Sequence, residues 1–483
     1  MRFDDTNPAK EKQEYEDSII EDLNSLGIKP DRVTYTSDYF QQLYEICMQM
    51  IADGNAYADD THPAIQKEDR FKRLPSKRRD RPSRESLAIF KEMKNDTEFG
   101  RKHCIRARIT FDSPNGAMRD PVIYRFVKPE EKENGKVPQP IPHHRTGLAW
   151  SIYPTYDFAC PVVDSIEGVT HALRTTEYAD RNAQYHWFLQ TLKLREVQLW
   201  DFARINFIRT FLSKRKLTKV VDTGIVTGWD DPRMPTVRGI LRRGLIVPAL
   251  REFMLEQGPS RNAVTMDWTI LWAKNKKAID AVAPRHTAVE KRDLVVAFIS
   301  KGPEQPYSEE RPKHPKNASV GNKLVTYAST VLIDQADAAT FLPDEEITLM
   351  NWGNAIVREV IKKTDDIVKE LRLELNLHGD FRKTEKKVTW LAKEGSNLVD
   401  TELWEFDYLL TKDTLGKDDK LDDFLATNTA RMTEALCDAN LATVEPKSII
   451  QLERKGYFRV DKGAGLGPQG RAVLFKIPTG SKE

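Results

Sequence analysis

The sequence predicts an α/β body, interrupted by a small α/β insertion, that gives way through a helical stretch to an all-β region. Three observations carry this. Helix and strand signals alternate from the N-terminus to about Val221, a strongly basic stretch interrupts them at Lys67 to Arg84, and beyond about Arg285 short β-like runs succeed one another with turns between them. With 483 residues, 40% of them hydrophobic and with nine Trp and twenty Phe, the chain can bury several cores.

The elements follow in order. Asn7 and Pro8 read as a cap and first-turn pair, Glu11 and Glu14 suit the positive end of a helix, Tyr15, Ile19, Leu23 and Leu26 share one face, and Gly27 stops it. Val33 to Thr36 is a short β-like run. Ser37 opens a second helix with Phe40, Leu43, Tyr44, Cys47 and Ile51 inward, closed by Gly54. The stretch "KEDRFKRLPSKRRDRPSR" then carries nine basic and three acidic residues. It reads as a solvated linker or, with the strands that follow it, as the entry to a separate small α/β insertion. "KHCIRARITF" and "VIYRFV" are strands about the turn "DSPNGAMRD", and "KPEEKENGKVPQPIPHH" is an exposed loop.

The α/β pattern resumes with "GLAWSIYPTYDFACPVVDSI" and a helix around "EYADRNAQYHWFLQTL", and "PRMPTVRGILRRGLIVPALREFMLEQG" gives two short amphipathic helices. Past Arg285 come "DLVVAFI", "STVLID", "EEITLM", "AIVREVI", "DIVKELRLELN", "KVTWLA" and "LWEFDYLL", a pattern of barrels or sandwiches. "GLGPQG" matches a dinucleotide-loop pattern but is followed by the strand-like "RAVLFKIP", so it reads as a turn between strands.

Composition narrows the functional classes. Lys and Arg number 75 against 73 Asp and Glu, so any nucleic-acid surface must arise from local clustering. Cys47, Cys104, Cys160 and Cys437 lack CxxC spacing, which argues against a zinc ribbon or a disulfide framework and for reduced thiols in the cytoplasm. No run of about eighteen apolar residues suggests a membrane span, and no apolar signal core opens the chain.

Three stretches point to chemistry: "RFDDTNP", "YPTYDFACPVVDSIEGVTHALRTTEYADRN" and "FARINFIRTFLSKRKL". In the third, Lys214, Arg215 and Lys216 follow Ser213 on an expected loop after a helix. Such a cationic tip suits phosphates, though basic loop tips are also commonly just solvated.

In order and spacing, and with "GWDDPRMPT" between, these motifs resemble the eukaryotic and archaeal type of glutamyl-tRNA synthetase, with the glutaminyl enzymes as nearest relatives. The resemblance is close from Arg2 to about Arg285 and more diffuse beyond. It implies a class I ligase with a Rossmann-like catalytic domain in 1–62 and 149–222, an inserted acceptor-stem-binding domain in 63–148, a helical stem-contact subdomain in 223–285 and anticodon-binding β-barrels in 286–483. It also implies ATP with Mg2+ and no zinc, and as partners L-glutamate, ATP and tRNA(Glu), with a multi-synthetase complex formed through a further N-terminal region and with no membrane.

Residue by residue, "FLSKRKL" looks like the family's KMSKS loop. It places Lys214 as the catalytic lysine, with Ser213, Arg215 and Arg204 on ATP, and Phe211 replaces the first lysine of the consensus. Asp4 and Tyr156 fall near the substrate ammonium. Arg174 stands where glutaminyl relatives carry a small residue, and a guanidinium there can pair with a γ-carboxylate. Asp180 and Arg233 fall at the acceptor stem, although Asp230 and Asp231 around Arg233 are read equally well as turn caps. Trp352, Trp390, Trp404, Arg382 and Lys383 are available for anticodon bases, with each tryptophan also a candidate core residue.

The family's His-Ile-Gly-His segment belongs upstream of "RFDDTNP", and none of the nine histidines stands in an HxGH pattern. The expectation is therefore an N-terminally truncated chain lacking the first strand of its sheet. Its alternatives are a tRNA-binding fragment without activation, or a glutaminyl enzyme.

Overall fold

The computed structural model describes residues 1–9, 11–127, 141–364 and 367–481, so most of the "KPEEKENGKVPQPIPHH" segment lies outside the described residues. Two compact units result, one of Met1–Ile205 with Pro259–Val264, the other of Asn206–Gly258 with the chain from Thr265.

The first unit opens with strand β1 (Arg2–Phe3), helix α1 (Gln13–Ser25), strand β2 (Thr34–Tyr35) and helix α2 (Phe40–Ala52). In α2 the apolar residues recur at helical spacing, and Phe40, Leu43, Tyr44, Cys47, Met50 and Ile51 are all buried. Gly54 ends it at φ 77°, a conformation a side chain would oppose, and the Asn55 N–H turns back to the Met50 carbonyl at 2.8 Å.

Helix α1 departs from expectation. It begins only after Lys12, because the Asn7 N–H donates to the Glu11 carboxylate and Asn7 Oδ1 accepts from the Ala9 N–H, closing a local turn instead. Its expected inward residues Tyr15 and Ile19 are 37% and 46% exposed. The buried contact is polar: His144 Nε2 lies 2.6 Å from Glu16 Oε1.

Strand β3 (Ala56–Asp59), helices α3 (Pro63–Lys72) and α4 (Ser83–Lys94), and strands β4 (Cys104–Ala107), β5 (Val122–Phe126) and β6 (Ile152–Pro154) follow. The strands form one antiparallel sheet in the order β3-β4-β5-β6. Against it α2 and α4 bury Leu43, Ile51, Phe90 and Met93 in a shared core. The boundaries drawn from the sequence at 62 and 148 therefore fall between strands of a single sheet. The charge run that suggested an edge is the end of α3, a turn and the start of α4, where Arg79 pairs with Asp120 at 2.7 Å and Arg81 with Asp60 at 3.4 Å.

Helix α5 (Tyr156–Ile166) leaves β6 directly, and Phe158, Ala159, Val162 and Val163 join the same core. Strand β7 (His171–Thr175), helix α6 (Asn182–Thr191) and strand β8 (Gln198–Phe202) complete a βαβ unit whose strands pair in parallel, as β1 and β2 also do.

In the second unit, helices α7 (Lys214–Asp222), α8 (Val237–Arg242), α9 (Val247–Gln257) and α10 (Trp268–Asp280) precede two seven-stranded sheets. The outermost strands of one sheet are Lys387–Val388 and Trp390–Ala392; those of the other are Arg285–His286 and Ala288–Glu290. In each sheet the two edge strands are joined by a single residue, so the edges must meet and the sheet curls into a barrel. The choice between barrel and sandwich is thus made by a one-residue break, which divides the single run "KVTWLA" into strands on opposite edges of the sheet.

Trp390 lies inside the first barrel, donating to the Met350 carbonyl at 2.9 Å and packing on Trp352 with ring centroids 4.7 Å apart. Arg382 and Lys383 are exposed, and Trp404 donates to Glu402 at 3.0 Å. "GLGPQG" is the expected turn, between Gly456–Lys462 and Ala472–Ile477. A Cβ on Gly467 would lie 2.2 Å from the Arg471 carbonyl oxygen, so the close backbone approach selects glycine.

Phe158 is fully buried where α5 meets the sheet and packs edge-on against Phe188 at 5.7 Å. Phe158→Ala should destabilise the first unit by about 3–5 kcal/mol, checked by urea denaturation followed by fluorescence.

Candidate active site

Helix α5 places Tyr156, Cys160 and Asp164 at i, i+4 and i+8, one above another on a single face. Strand β1 brings Arg2 to that face. Its guanidinium pairs with Asp164 Oδ1, with Glu167 Oε2 at 3.1 Å and with Asp4 Oδ1 at 3.3 Å. Burial alone would lower the Arg2 pKa, but the surrounding carboxylates outweigh it and raise it. Glu167 is held from its other side by the Tyr39 hydroxyl at 3.0 Å.

Asp4 also accepts from the Thr36 hydroxyl at 3.0 Å. Burial pushes its carboxyl above the ordinary range, against the opposing pull of Arg2 and Thr36. Burial likewise raises the Tyr156 phenol and the Cys160 thiol, so both stay protonated at neutral pH.

Arg174, on β7, is only 7% exposed. Three tyrosine rings surround its guanidinium, with Tyr178, Tyr185 and Tyr156 centroids 5.3, 5.4 and 5.8 Å from Cζ. Its Nε and Nη1 are buried without a hydrogen-bond partner among the described residues. Two dry, unpaired donors on a buried cation are costly unless an anion meets them.

The structure therefore gathers Asp4, Tyr156 and Arg174 around one helix face: Arg2 joins Asp4 to Asp164 of α5, and the Arg174 Cζ lies 5.8 Å from the Tyr156 ring centroid. A cluster with those charges suits a small molecule bearing both an ammonium and a carboxylate. Sequence reading did not single out Arg2, Cys160, Asp164, Tyr178 or Tyr185. The helical spacing of Tyr156, Cys160 and Asp164 was the available signal.

The other expected residues are dispersed. Arg204 pairs with Glu177 at 2.6 Å, on an exposed surface. Asp180 is exposed, and its backbone carbonyl accepts from Asn115 at 2.7 Å. Arg233 grips Asp231 with Nε and Nη2 at 2.9 and 2.7 Å and donates to Thr429 at 2.8 Å. Asp231 in turn accepts from the Thr227 and Arg233 backbone N–H groups, each at 2.9 Å, so the turn-capping account describes this carboxylate.

In the second unit, Lys214 to Lys216 form the first turn of α7 with Ser213 as N-cap, not a loop tip after a helix. Leu217 and Val220 bury against Phe211, Val226 and Met234, which fixes the helix and leaves Lys214 and Arg215 exposed at its start. The helix forms because this apolar pair finds a core, overriding the unfavourable placement of cations at a positive helix end. A cavity of about 680 Å3 in this unit, lined among others by Arg209, Arg243, Glu405 and Arg431, contains none of the expected residues. Among the described residues no three His, Cys, Asp or Glu side chains form a group that could hold a metal ion, and no helix is long and apolar enough to cross a membrane.

Residues 1–281 match the family described as tRNA synthetases class I (E and Q), catalytic domain, and residues 283–377 and 387–461 match its two anti-codon binding domains. Over 480 residues the chain is 53% identical to a probable cytoplasmic glutamate–tRNA ligase of Schizosaccharomyces pombe, covering 99% of this chain and 65% of that protein. It is 52% identical over 482 residues to the cytoplasmic glutamate–tRNA ligase of Saccharomyces cerevisiae, with the same two coverages. It is also 45% identical over 489 residues to a bifunctional glutamate/proline–tRNA ligase of Drosophila melanogaster, covering 28% of that protein. The chain thus spans just under two thirds of the two fungal relatives.

Glu11, beside Asp5 and Asp4, has its carboxyl pushed up to about 7 chiefly by burial, with the Asn7 N–H opposing. A raised folded-state pKa stabilises the fold fully below the ordinary glutamate range and loses that contribution as pH rises through about 7. Thermal midpoints measured from pH 4 to 8 should fall across that window and flatten in Glu11→Gln.

Proposed function

The chain belongs to the class I tRNA synthetases of the glutamate and glutamine group, and on that premise we propose that it is the catalytic and anticodon-binding body of a cytoplasmic glutamate–tRNA ligase. The observation that carries the choice of amino acid is Arg174. Its two buried, unpartnered donors sit among three tyrosine rings, where a γ-carboxylate would satisfy them. Glutamine would turn an amide NH2 toward those donors, and an unmet buried donor costs about 1–3 kcal/mol, more when charged. Asp4 receives the substrate ammonium, and the Tyr156 hydroxyl offers it a further acceptor.

The reaction has two steps. The glutamate α-carboxylate attacks the α-phosphorus of ATP and pyrophosphate leaves; a terminal ribose hydroxyl of tRNA(Glu) then attacks the acyl carbon and AMP leaves. Lys214, with Ser213 and Arg215, meets the negative charge that builds on the phosphates in the first step, stabilising the transition state more than the ground state. Arg204 serves the nucleotide by exchanging Glu177 for a phosphate.

Magnesium would enter with ATP, whose phosphates are hard oxygen ligands. Asp180 reads the acceptor stem by accepting from a guanine amine in the minor groove. Arg233 contributes by holding the turn that faces the inner stem. Arg382 and Lys383, both exposed, are available to the anticodon loop. Association with a second synthetase activity belongs to the same reading, motivated by the bifunctional relative.

ATP–pyrophosphate exchange with glutamate and tRNA present, alongside a direct tRNA-binding measurement, tests the proposal. Binding without exchange would leave a tRNA-binding module. In the active chain, Lys214→Ala should slow exchange by about two to three decades. Arg174→Cys should erase most of the preference for glutamate over glutamine in kcat/KM, and unchanged discrimination would remove Arg174 from its role.

A further inference from the structure

We propose that Tyr185 is a positioning residue that couples the two charged ends of the amino-acid pocket, holding Arg174 with its ring and Asp4, through Asp164 and Arg2, with its hydroxyl. The inference rests on the glutamate reading of that pocket and assigns a function to a residue outside direct substrate contact.

Tyr185 lies on α6, 2% exposed, among Cys160, Leu189 and Val197. A phenylalanine would fill that apolar site equally well, so packing does not account for the hydroxyl. The hydroxyl donates to Asp164 Oδ2 at 2.7 Å. The other carboxylate oxygen, Oδ1, accepts from Arg2 Nη2, and Arg2 Nε reaches Asp4 Oδ1 at 3.3 Å. The aromatic face of the same residue stands 5.4 Å from the Arg174 Cζ. An unbroken line of contacts thus runs from the guanidinium at one end of the pocket to the carboxylate at the other, and Tyr185 is the member that touches both halves.

The two halves of the side chain are separable. Without the hydroxyl, Asp164 Oδ2 keeps, among the described residues, only the Cys160 thiol, at 3.5 Å and a weak donor. The carboxylate is then free to turn, and Arg2 with it, which loosens Asp4. The ring against Arg174 is untouched. Replacing the whole ring loosens both ends.

Calorimetric titration of the full chain with L-glutamate and with glutarate, which keeps both carboxylates but lacks the ammonium, separates these effects. Tyr185→Phe should weaken L-glutamate by about tenfold, the scale of one hydrogen bond to a charged group, and leave glutarate within about twofold. Tyr185→Leu should weaken both ligands. Equal losses for the two ligands in Tyr185→Phe, or none for either, would overturn the coupling.

A wild-type chain that binds no L-glutamate would count against the glutamate reading. The coupling is then decided without ligand, by nitrogen NMR of the arginine side chains assigned through Arg2→Lys and Arg174→Lys. Tyr185→Phe should shift the Arg2 Nε–H signal and spare that of Arg174; an unmoved Arg2 signal overturns the proposal.

Discussion

The guanidinium of Arg2 is gathered by Asp4, Asp164 and Glu167, with 11% of its side chain exposed. A buried cation is tolerable only when its donors are met. Breaking such a cluster by removing one partner generally costs about 3–5 kcal/mol, because a charge is left stranded. Through this one residue the first strand is fastened to α5, Asp4 is aimed, and Asp164 is oriented to accept from Tyr185. The apolar core sets where α5 lies, and the charge cluster sets how its polar face is arranged.

A comparable device closes the second barrel. Thr287, the residue between the two edge strands, donates its backbone N–H to Asp438 Oδ2 at 2.7 Å, and the His286 ring lies 3.2 Å from the other oxygen. Burial works to raise the Asp438 carboxyl, but these bonds dominate and hold it well below the usual range. A single ionised carboxylate therefore pins the seam where the sheet meets itself. The covalent brevity of the link makes closure unavoidable, and the carboxylate makes it definite.

Much of this was legible in the sequence wherever burial repeats with a fixed period. Helix α2 announces itself through Phe40, Leu43, Tyr44, Cys47 and Ile51, and the long barrel strands through their β-branched runs. Helix α1 misleads because its anchor is the Glu16 contact with His144, a polar pair 128 residues apart that no periodicity records. Lys214 reads as loop because its cations mask Leu217 and Val220, two positions that suffice to seat a short helix. Resemblance points to Asp4, Tyr156 and Arg174, which cluster on one helix face. It does not point to Arg2, Asp164 or Tyr185, since a charged or phenolic side chain reads the same whether solvated or paired. Their partners lie 162 and 21 positions away along the chain.

The four-stranded sheet gives the basic insertion a different standing from the one its place in the sequence suggests. Strands β4 and β5 lie between β3 and β6, so the segment that looks like an appended cassette supplies the middle of the sheet from whose edge α5 departs. Excising it would strip both remaining strands of their partners. The region facing outward with its arginines and the helix carrying the pocket are thus built on common foundations. A change on the exposed face of α3 leaves those strands paired, whereas loss of the segment does not.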